Sequence, residues 1–217
     1  MSHICYIILK NIITRYMNKI SKILIGSNNK GKFKEISDLL PQSIEKISPA
    51  KMGIKSPEET GKTFLENAEL KADFFCKQSK MTTIADDSGL EVSCLNGEPG
   101  ILSARWADQY GGFDSAMLEI LKRVRHFNSK KKIKDTNARF ICALTIQWTN
   151  GKKISEQGTI EGNIISKKGK NGFGYDAIFT PKGYKKTFGE MEYNKKVLID
   201  HRFVAFKKLE KKIKDYF

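Results

Sequence analysis

The order of apolar and polar positions along this chain predicts an α/β protein from residue 20 onward. Lys22-Ile23-Leu24-Ile25-Gly26 is a short apolar run of the kind that forms a buried strand. The polar turn Ser27-Asn28-Asn29-Lys30-Gly31-Lys32 follows it. Phe33, Ile36, Leu39 and Leu40 then recur at helical spacing until Pro41, which cannot continue a helix. Ile44 to Ile47 predicts a weak second strand. After the loop around Pro57, a long helix begins at Thr63, with Phe64, Ala68, Leu70, Phe74 and Phe75 available to a core. Thr82 to Ala85 is the next apolar run. It leads into Asp86-Asp87, with a Ser88-Gly89 turn expected to close the strand.

Further along, Asn96-Gly97-Glu98-Pro99-Gly100 reads as a loop, and Met117, Leu118, Ile120, Leu121 and Val124 predict a helix over Ser115 to Arg125. Lys130-Lys131-Lys132 is expected in an exposed loop. Ala138, Phe140, Cys142, Leu144, Ile146 and Trp148 alternate strictly, as a strand with one buried face does. Asn150-Gly151 predicts a hairpin turn, with the returning strand over Lys153 to Ile160. From Phe188 the chain is polar and then helical to its end, carrying Lys196, His201 and Arg202 on the last helix. No internal repeat or long linker divides it.

Composition narrows this picture. The 217 residues are 40% hydrophobic and 29% charged, as in a water-soluble globular domain, and no run approaches the ~20 apolar residues that span a bilayer. Cys5, Cys76, Cys94 and Cys142 show no CxxC spacing and no nearby His pair. That argues against zinc or a disulfide framework and for reduced thiols in the cytoplasm. The net charge of +15 favours polyanionic partners. Its lysine pairs are spread over the chain with only scattered aromatics between them, so charge does not by itself imply a nucleic-acid partner. Residues 1–19 are set apart: Ile4 to Leu9 is apolar but too short for a signal peptide, and Met17 is the expected native start.

Four constellations carry chemistry. Strand, Ser27 to Lys32, then helix gathers backbone N–H groups and two lysines at a helix N-terminus, a phosphate cradle without the Walker pattern; an ordinary capped turn reads the same way. Asp86 and Asp87 point to opposite faces of an extended segment, and one of them is a natural Mg²⁺ ligand if it sits at a strand end. Glu58 and Glu59 add acidic loop residues. Glu66 and Lys71, five apart, are not helix neighbours, which disfavours a plain surface pair. Gly172-Phe173-Gly174-Tyr175-Asp176 offers a ring that stacks on a base or, equally, begins a strand. His201-Arg202 is a donor pair or an exposed helix face. Taken together these are the parts of a nucleoside triphosphate site.

In chain order, Ser-Asn-Asn-Lys-Gly-Lys, Glu-Glu-Thr-Gly-x-Thr-Phe-x-Glu-Asn-Ala-x-x-Lys-Ala, Ala-Asp-Asp-Ser-Gly-Leu, Gly-x-Pro-Gly-x-x-Ser-Ala-Arg, Phe-Gly-Tyr-Asp and His-Arg resemble the noncanonical purine nucleoside triphosphate pyrophosphatases, over Lys22 to Leu209. That resemblance implies an elongated, two-lobed single domain over residues 20–217, built on a long mixed β-sheet flanked by helices. It implies hydrolysis of ITP, dITP and XTP to the monophosphate and pyrophosphate by a Mg²⁺-dependent homodimer. By position it implies that Ser27, Asn28, Asn29, Lys30, Gly31 and Lys32 hold the triphosphate. Glu59, with Glu58 as its alternative, and Asp87 would form the metal site, Asp87 also orienting the attacking water. Lys71, Ser88 and Lys196 would contact substrate. Phe173, Gly174, Tyr175 and Asp176 would form the base pocket, and His201 and Arg202 would read the 6-oxo edge. The chain departs from the family pattern at Ser27-Asn28, where Thr-Gly is usual, at Ala177, where Pro is frequent, and at Asp200, where Ser commonly precedes the His.

Overall fold

Six strands form one mixed sheet in the order β2-β1-β3-β4-β5-β6: β1 (Lys22–Ile25), β2 (Glu45–Ile47), β3 (Thr83–Val92), β4 (Asn137–Gln147), β5 (Lys153–Ile164) and β6 (Phe179–Pro181). The structure is a computed structural model and describes residues 19–216; the expected start at Met17 and the segment before it lie outside them. β2, β1 and β3 run parallel, and β3 to β6 are antiparallel neighbours. Among the described residues six α-helices flank the sheet: α1 (Lys30–Leu39), α2 (Phe64–Ser79), α3 (Ser103–Tyr110), α4 (Phe113–Lys131), α5 (Tyr193–Lys196) and α6 (His201–Ile213).

The helices that matter for the site begin at side-chain caps. Asn29 accepts the Lys32 N–H, Thr63 accepts the Glu66 N–H and Asp200 accepts the Phe203 N–H, each satisfying one orphan donor of a first turn. On one face of the sheet, Ile23, Ile25, Ile84, Leu144 and Ile146 pack with Ile36 of α1 and Phe206 of α6. Further along the same strands, Leu90, Val92 and Phe140 pack with Trp106, Ile120, Phe179 and Phe188. These two cores are the two lobes. Between them on β3 lie Asp86 and Ser88, so a polar strip separates two apolar clusters.

The alternation along β4 predicts one buried face, and the other face is buried too. α2 covers it, with Phe64 and Ala68 packed on Ile141 and Ala143. Other expectations shift for equally local reasons. β3 does not end at Ser88-Gly89 but runs to Val92, because β4 pairs with it over its whole length. The Lys130 cluster is not a loop: α4 continues to Lys131, two turns past the last apolar position that predicted it, and Lys132 closes it in the left-handed conformation. β5 reaches Ile164, held beyond Ile160 by Ala138 and Asn137 of β4. Lys196 is not on the last helix. It ends the single-turn α5, and a separate cap at Asp200 starts α6.

α6 crosses β5 at Gly158, where a β-carbon would lie 2.3 Å from both the Ala205 nitrogen and the His201 carbonyl oxygen. No flexible side chain is available to give way. Gly158→Ala therefore displaces α6 at a cost of about 1–3 kcal/mol, read as a lower midpoint in urea unfolding. An unchanged midpoint would contradict this packing.

Candidate active site

β1 pairs with β3 only at Leu24–Thr83 and Ile25–Ile84, and the chain then turns away at Ser27. Among the described residues, the next pairing on that edge of β3 is the Glu91–Pro99 bridge. The stretch between is a crevice at the carboxyl end of β1, where α/β sheets bind ligands. Asp86 and Asp87 are therefore not at a strand end. They lie in the middle of β3, at the point where its neighbour stops.

As expected from strand geometry, the two carboxylates serve opposite faces. Asp87 faces α2: its Oδ1 accepts from Lys71 Nζ at 3.1 Å and its Oδ2 from Asn67 at 3.1 Å. Lys71 also reaches Glu59 Oε1 at 2.5 Å, and Arg105 donates to the Glu59 carbonyl, tying that loop down. Burial raises the Asp87 carboxyl above its ordinary value against the pull of Lys71. Burial works against charge on Lys71, but Asp87, Asp86 and Glu59 outweigh it and raise it. Glu58 is exposed on the loop and joins none of these contacts.

Asp86 faces the other side. Its Oδ2 lies 3.4 Å from Lys32 Nζ, 3.3 Å from Arg202 Nε and 3.1 Å from Ser88 Oγ. Burial opposes its charge, but Lys32, Arg202 and Lys71 prevail and hold the carboxyl well below its ordinary value. Arg202 is locked on three sides, by Asp86, by Glu35 Oε2 at 2.8 Å and by Ser88 Oγ at 2.7 Å. Glu35 Oε1 accepts from Lys196 Nζ at 2.7 Å, and Lys196 also binds Asp176 Oδ2 at 2.7 Å. The charges of Glu35, Asp86, Asp176, Lys196 and Arg202 are at most 3% exposed. The His-Arg pair is thus not an exposed helix face.

A cavity of about 70 Å³ opens in front of this cluster, lined by Asn29, Lys32, Ser88, Phe140, Phe173 and His201 among others. Gly174, Tyr175, Asp176 and Arg202 line it too. Phe173 does not begin a strand. It sits in a tight turn in which its N–H donates to Asp176 Oδ2 at 2.9 Å. The ring lies against the start of α1, where a β-carbon at Gly31 would come within 2.5 Å of it. Tyr175 anchors the turn by donating to the Ser103 carbonyl at 2.8 Å. His201 stacks on Phe140 with centroids 4.8 Å apart. Burial, with Arg202 and Lys196, holds the imidazole well below its usual pKa, so it is neutral at pH 7. Arg202 Nη1, which can only donate, lies 3.3 Å from His201 Nε2. That makes Nε2 the acceptor and leaves the proton on Nδ1, a buried donor with no partner.

The turn from Ser27 to Lys32 borders this cavity through Asn29 and Lys32. Capping by Asn29 leaves the Lys30 and Gly31 N–H groups without helical partners, ready for an anion. Asn28 points away and ties the turn to Ser56 at 3.0 Å, and Lys30 is exposed. A larger surface groove beside α4, lined by Lys122, Arg123 and His126, brings together none of the predicted site residues.

Sequence reasoning gave no site role to Glu35, Asn67, Phe140 or Asp200, and took Asp86 only as one of two candidate Mg²⁺ ligands. Glu35 sits one residue before Ile36 in an apolar stripe, where a carboxylate is easily read as surface. The signal that could have found it is the pair Lys196 and Arg202, which once buried require counter-charges.

The sequence matches the Ham1 family profile over residues 23–212. It is 40% identical over 191 residues to the dITP/XTP pyrophosphatase of Caulobacter vibrioides, covering 88% of this chain and 96% of that protein. It is 37% identical over 206 residues to a Bacillus cereus protein of the same description, covering 93% and 98%. The fold superposes on a HAM1 protein from Coxiella burnetii with a TM-score of 0.80 at 32% identity, covering 90% of this chain and all of that one (100%). A Staphylococcus aureus Ham1 protein gives 0.71 at 36% identity, covering 89% and 98%.

The geometry makes Glu35 the keystone of the buried charges. Glu35→Ala takes one of two carboxylates from each of two buried cations, leaving Lys196 with Asp176 and Arg202 with Asp86, and is expected to cost about 3–5 kcal/mol in denaturant unfolding. A loss below about 1 kcal/mol would show that the ion pairs are not what holds α1 to α6.

Proposed function

The chain belongs to the Ham1 family, and from that membership we infer that it hydrolyses noncanonical purine nucleoside triphosphates, dITP and XTP among them, to the monophosphate and pyrophosphate. The observation that carries this to the residues is the crevice at the end of β1, with a phosphate turn on one side and two carboxylates of opposite orientation on β3. The same reading takes the enzyme to be a cytoplasmic homodimer that clears the nucleotide pool. Among the described residues no helix is long and apolar enough to cross a membrane.

Mg²⁺ fits the carboxylate side. Glu59 and Asp87 offer hard oxygen donors converging on one point, now shared by the Lys71 ammonium. Mg²⁺ takes its remaining ligands from water and substrate phosphates. Bound there, Mg²⁺ would neutralise charge on the phosphates.

In the mechanism we propose, a water attacks the α-phosphorus, the bond from that phosphorus to the bridging oxygen breaks, and pyrophosphate leaves. Asp87 orients the water and accepts its proton. Lys71 fixes the Asp87 carboxylate, and Lys32 with the Lys30 and Gly31 N–H groups holds the triphosphate. Ser27 shapes the turn, with its hydroxyl accepting the Asn29 N–H at 3.3 Å. Positioning and fixed charge supply the acceleration.

Base choice follows from hydrogen-bond sign. The Nδ1–H of His201 and the guanidinium of Arg202 are donors, and the 6-oxo group of hypoxanthine or xanthine accepts. Adenine offers an amine there, leaving donors facing donors in a buried site. Phe173 supplies a face for the purine. Lys196 and Asp176 act on the base through it, Lys196 Nζ lying 4.8 Å from the ring centre.

Pyrophosphate release from ITP, dITP, XTP and ATP, with Mg²⁺ and with EDTA, tests this reading. Metal-dependent release from the first three and little from ATP is expected. Asp87→Asn should fold normally and lose about 100-fold or more in turnover. Release of orthophosphate, or turnover unchanged by EDTA or by the substitution, would contradict it.

A further inference from the structure

The wall behind the base cavity holds one carboxylate too many. Glu35, Asp86, Asp176 and Asp200 are each at most 3% exposed. Three cations answer them: Lys196 and Arg202, both 2% exposed, and the more open Lys32. Glu35 pairs with Lys196 and Arg202, Asp86 with Arg202 and Lys32, and Asp176 with Lys196. The neutral His201 adds no charge.

Asp200 is the one left over. Its Oδ1 caps α6 by accepting the Phe203 N–H at 2.8 Å. Its Oδ2 is buried with no hydrogen-bond partner, and no salt bridge among the described residues reaches it. Glu35 on α1, Lys196 and Tyr193 on α5, Cys142 on β4 and Arg202 on its own helix are the charged or titratable groups that act on it or feel it. The foremost of those acting on it is another carboxylate, Glu35.

We propose that Asp200 is a specificity-determining residue whose uncompensated buried charge makes the base pocket favour neutral hypoxanthine over the xanthine anion. This rests on the pyrophosphatase reading given above. The two substrate bases differ in charge: xanthine in a nucleoside loses a ring proton near neutrality, whereas hypoxanthine keeps its own until well above it. A surplus negative charge on the residue next to His201, which lines the pocket, therefore penalises XTP at alkaline pH and leaves ITP and dITP almost untouched. Burial, reinforced by Glu35, raises Asp200 from 3.8 to about 6, so the carboxyl is charged at about pH 8 and protonated at about pH 5.

The same surplus acts on stability, with a definite sign. A folded-state value above the unfolded one means that Asp200 stabilises the fold fully below about 4, and that this contribution is lost as pH rises through about 6. Asn and Ser cap helices about as well as Asp, so both replacements keep the start of α6.

The experiment measures kcat/KM for XTP and ITP, as pyrophosphate release with Mg²⁺, for wild type, Asp200→Asn and Asp200→Ser at about pH 5 and pH 8, with thermal unfolding alongside. At pH 8 both variants should raise the XTP-to-ITP ratio about three- to tenfold over wild type, the size of one unit charge at an effective dielectric constant of about 20. Their Tm should equal or exceed that of wild type at pH 8. At pH 5 the ratios should converge. An unchanged ratio at pH 8, with both substrates still turned over, would overturn the proposal, as would variants less stable than wild type at that pH. Absence of turnover of either substrate by the wild type would instead overturn the pyrophosphatase reading.

Discussion

Glu35 is a single carboxylate that fastens three elements at once. One oxygen holds Lys196 of α5 and the other holds Arg202 of α6, while its own helix carries the phosphate turn at its start. Such pairs contribute little net stability compared with a well-packed apolar core, because desolvation offsets most of the attraction. What they supply is orientation. With Glu35 in place, Arg202 cannot rotate away from Asp86 and Ser88, His201 is held against Phe140, and Lys196 sits behind the Phe173 ring. The cavity is shaped by groups whose own positions are already determined by charge.

The second constraint is the early end of β1. Because it leaves β3 after Ile84, a stretch of β3 has no strand on that edge, and side chains on both faces become accessible from one crevice. The strand's period of two then divides the work. Asp87 looks toward α2, Lys71 and Glu59, a side suited to a metal and an attacking water. Asp86 looks toward α1 and α6, a side suited to the base. The two apolar lobes meet at this strip, so the site lies at the seam of the fold.

Much of this was legible from residue pattern. The α1 stripe, the helix start near Thr63 and the hairpin at Asn150-Gly151 are local signals with local causes, and each appears where the pattern puts it. The errors are of another kind. Ser88-Gly89 has turn composition, yet β4 imposes strand on it; the small residue is needed because Ser103 and the Gly100 carbonyl crowd the place where a Gly89 side chain would be. Lys130 and Lys131 look like a loop because lysine says nothing about its backbone. Glu35 and Asp86 were invisible as partners because a buried ion pair has no periodicity: its members lie up to 167 residues apart and meet only in the folded chain.

In the proposed mechanism, base selection and bond cleavage belong to opposite faces of β3. Binding of IMP and AMP to Asp87→Asn, measured by titration calorimetry, tests it most directly. Removing the Asp87 charge should abolish chemistry but leave the Asp86 face intact, so IMP should still bind more tightly than AMP by the wild-type ratio. Loss of that preference in a folded variant would mean that the two faces do not act separately.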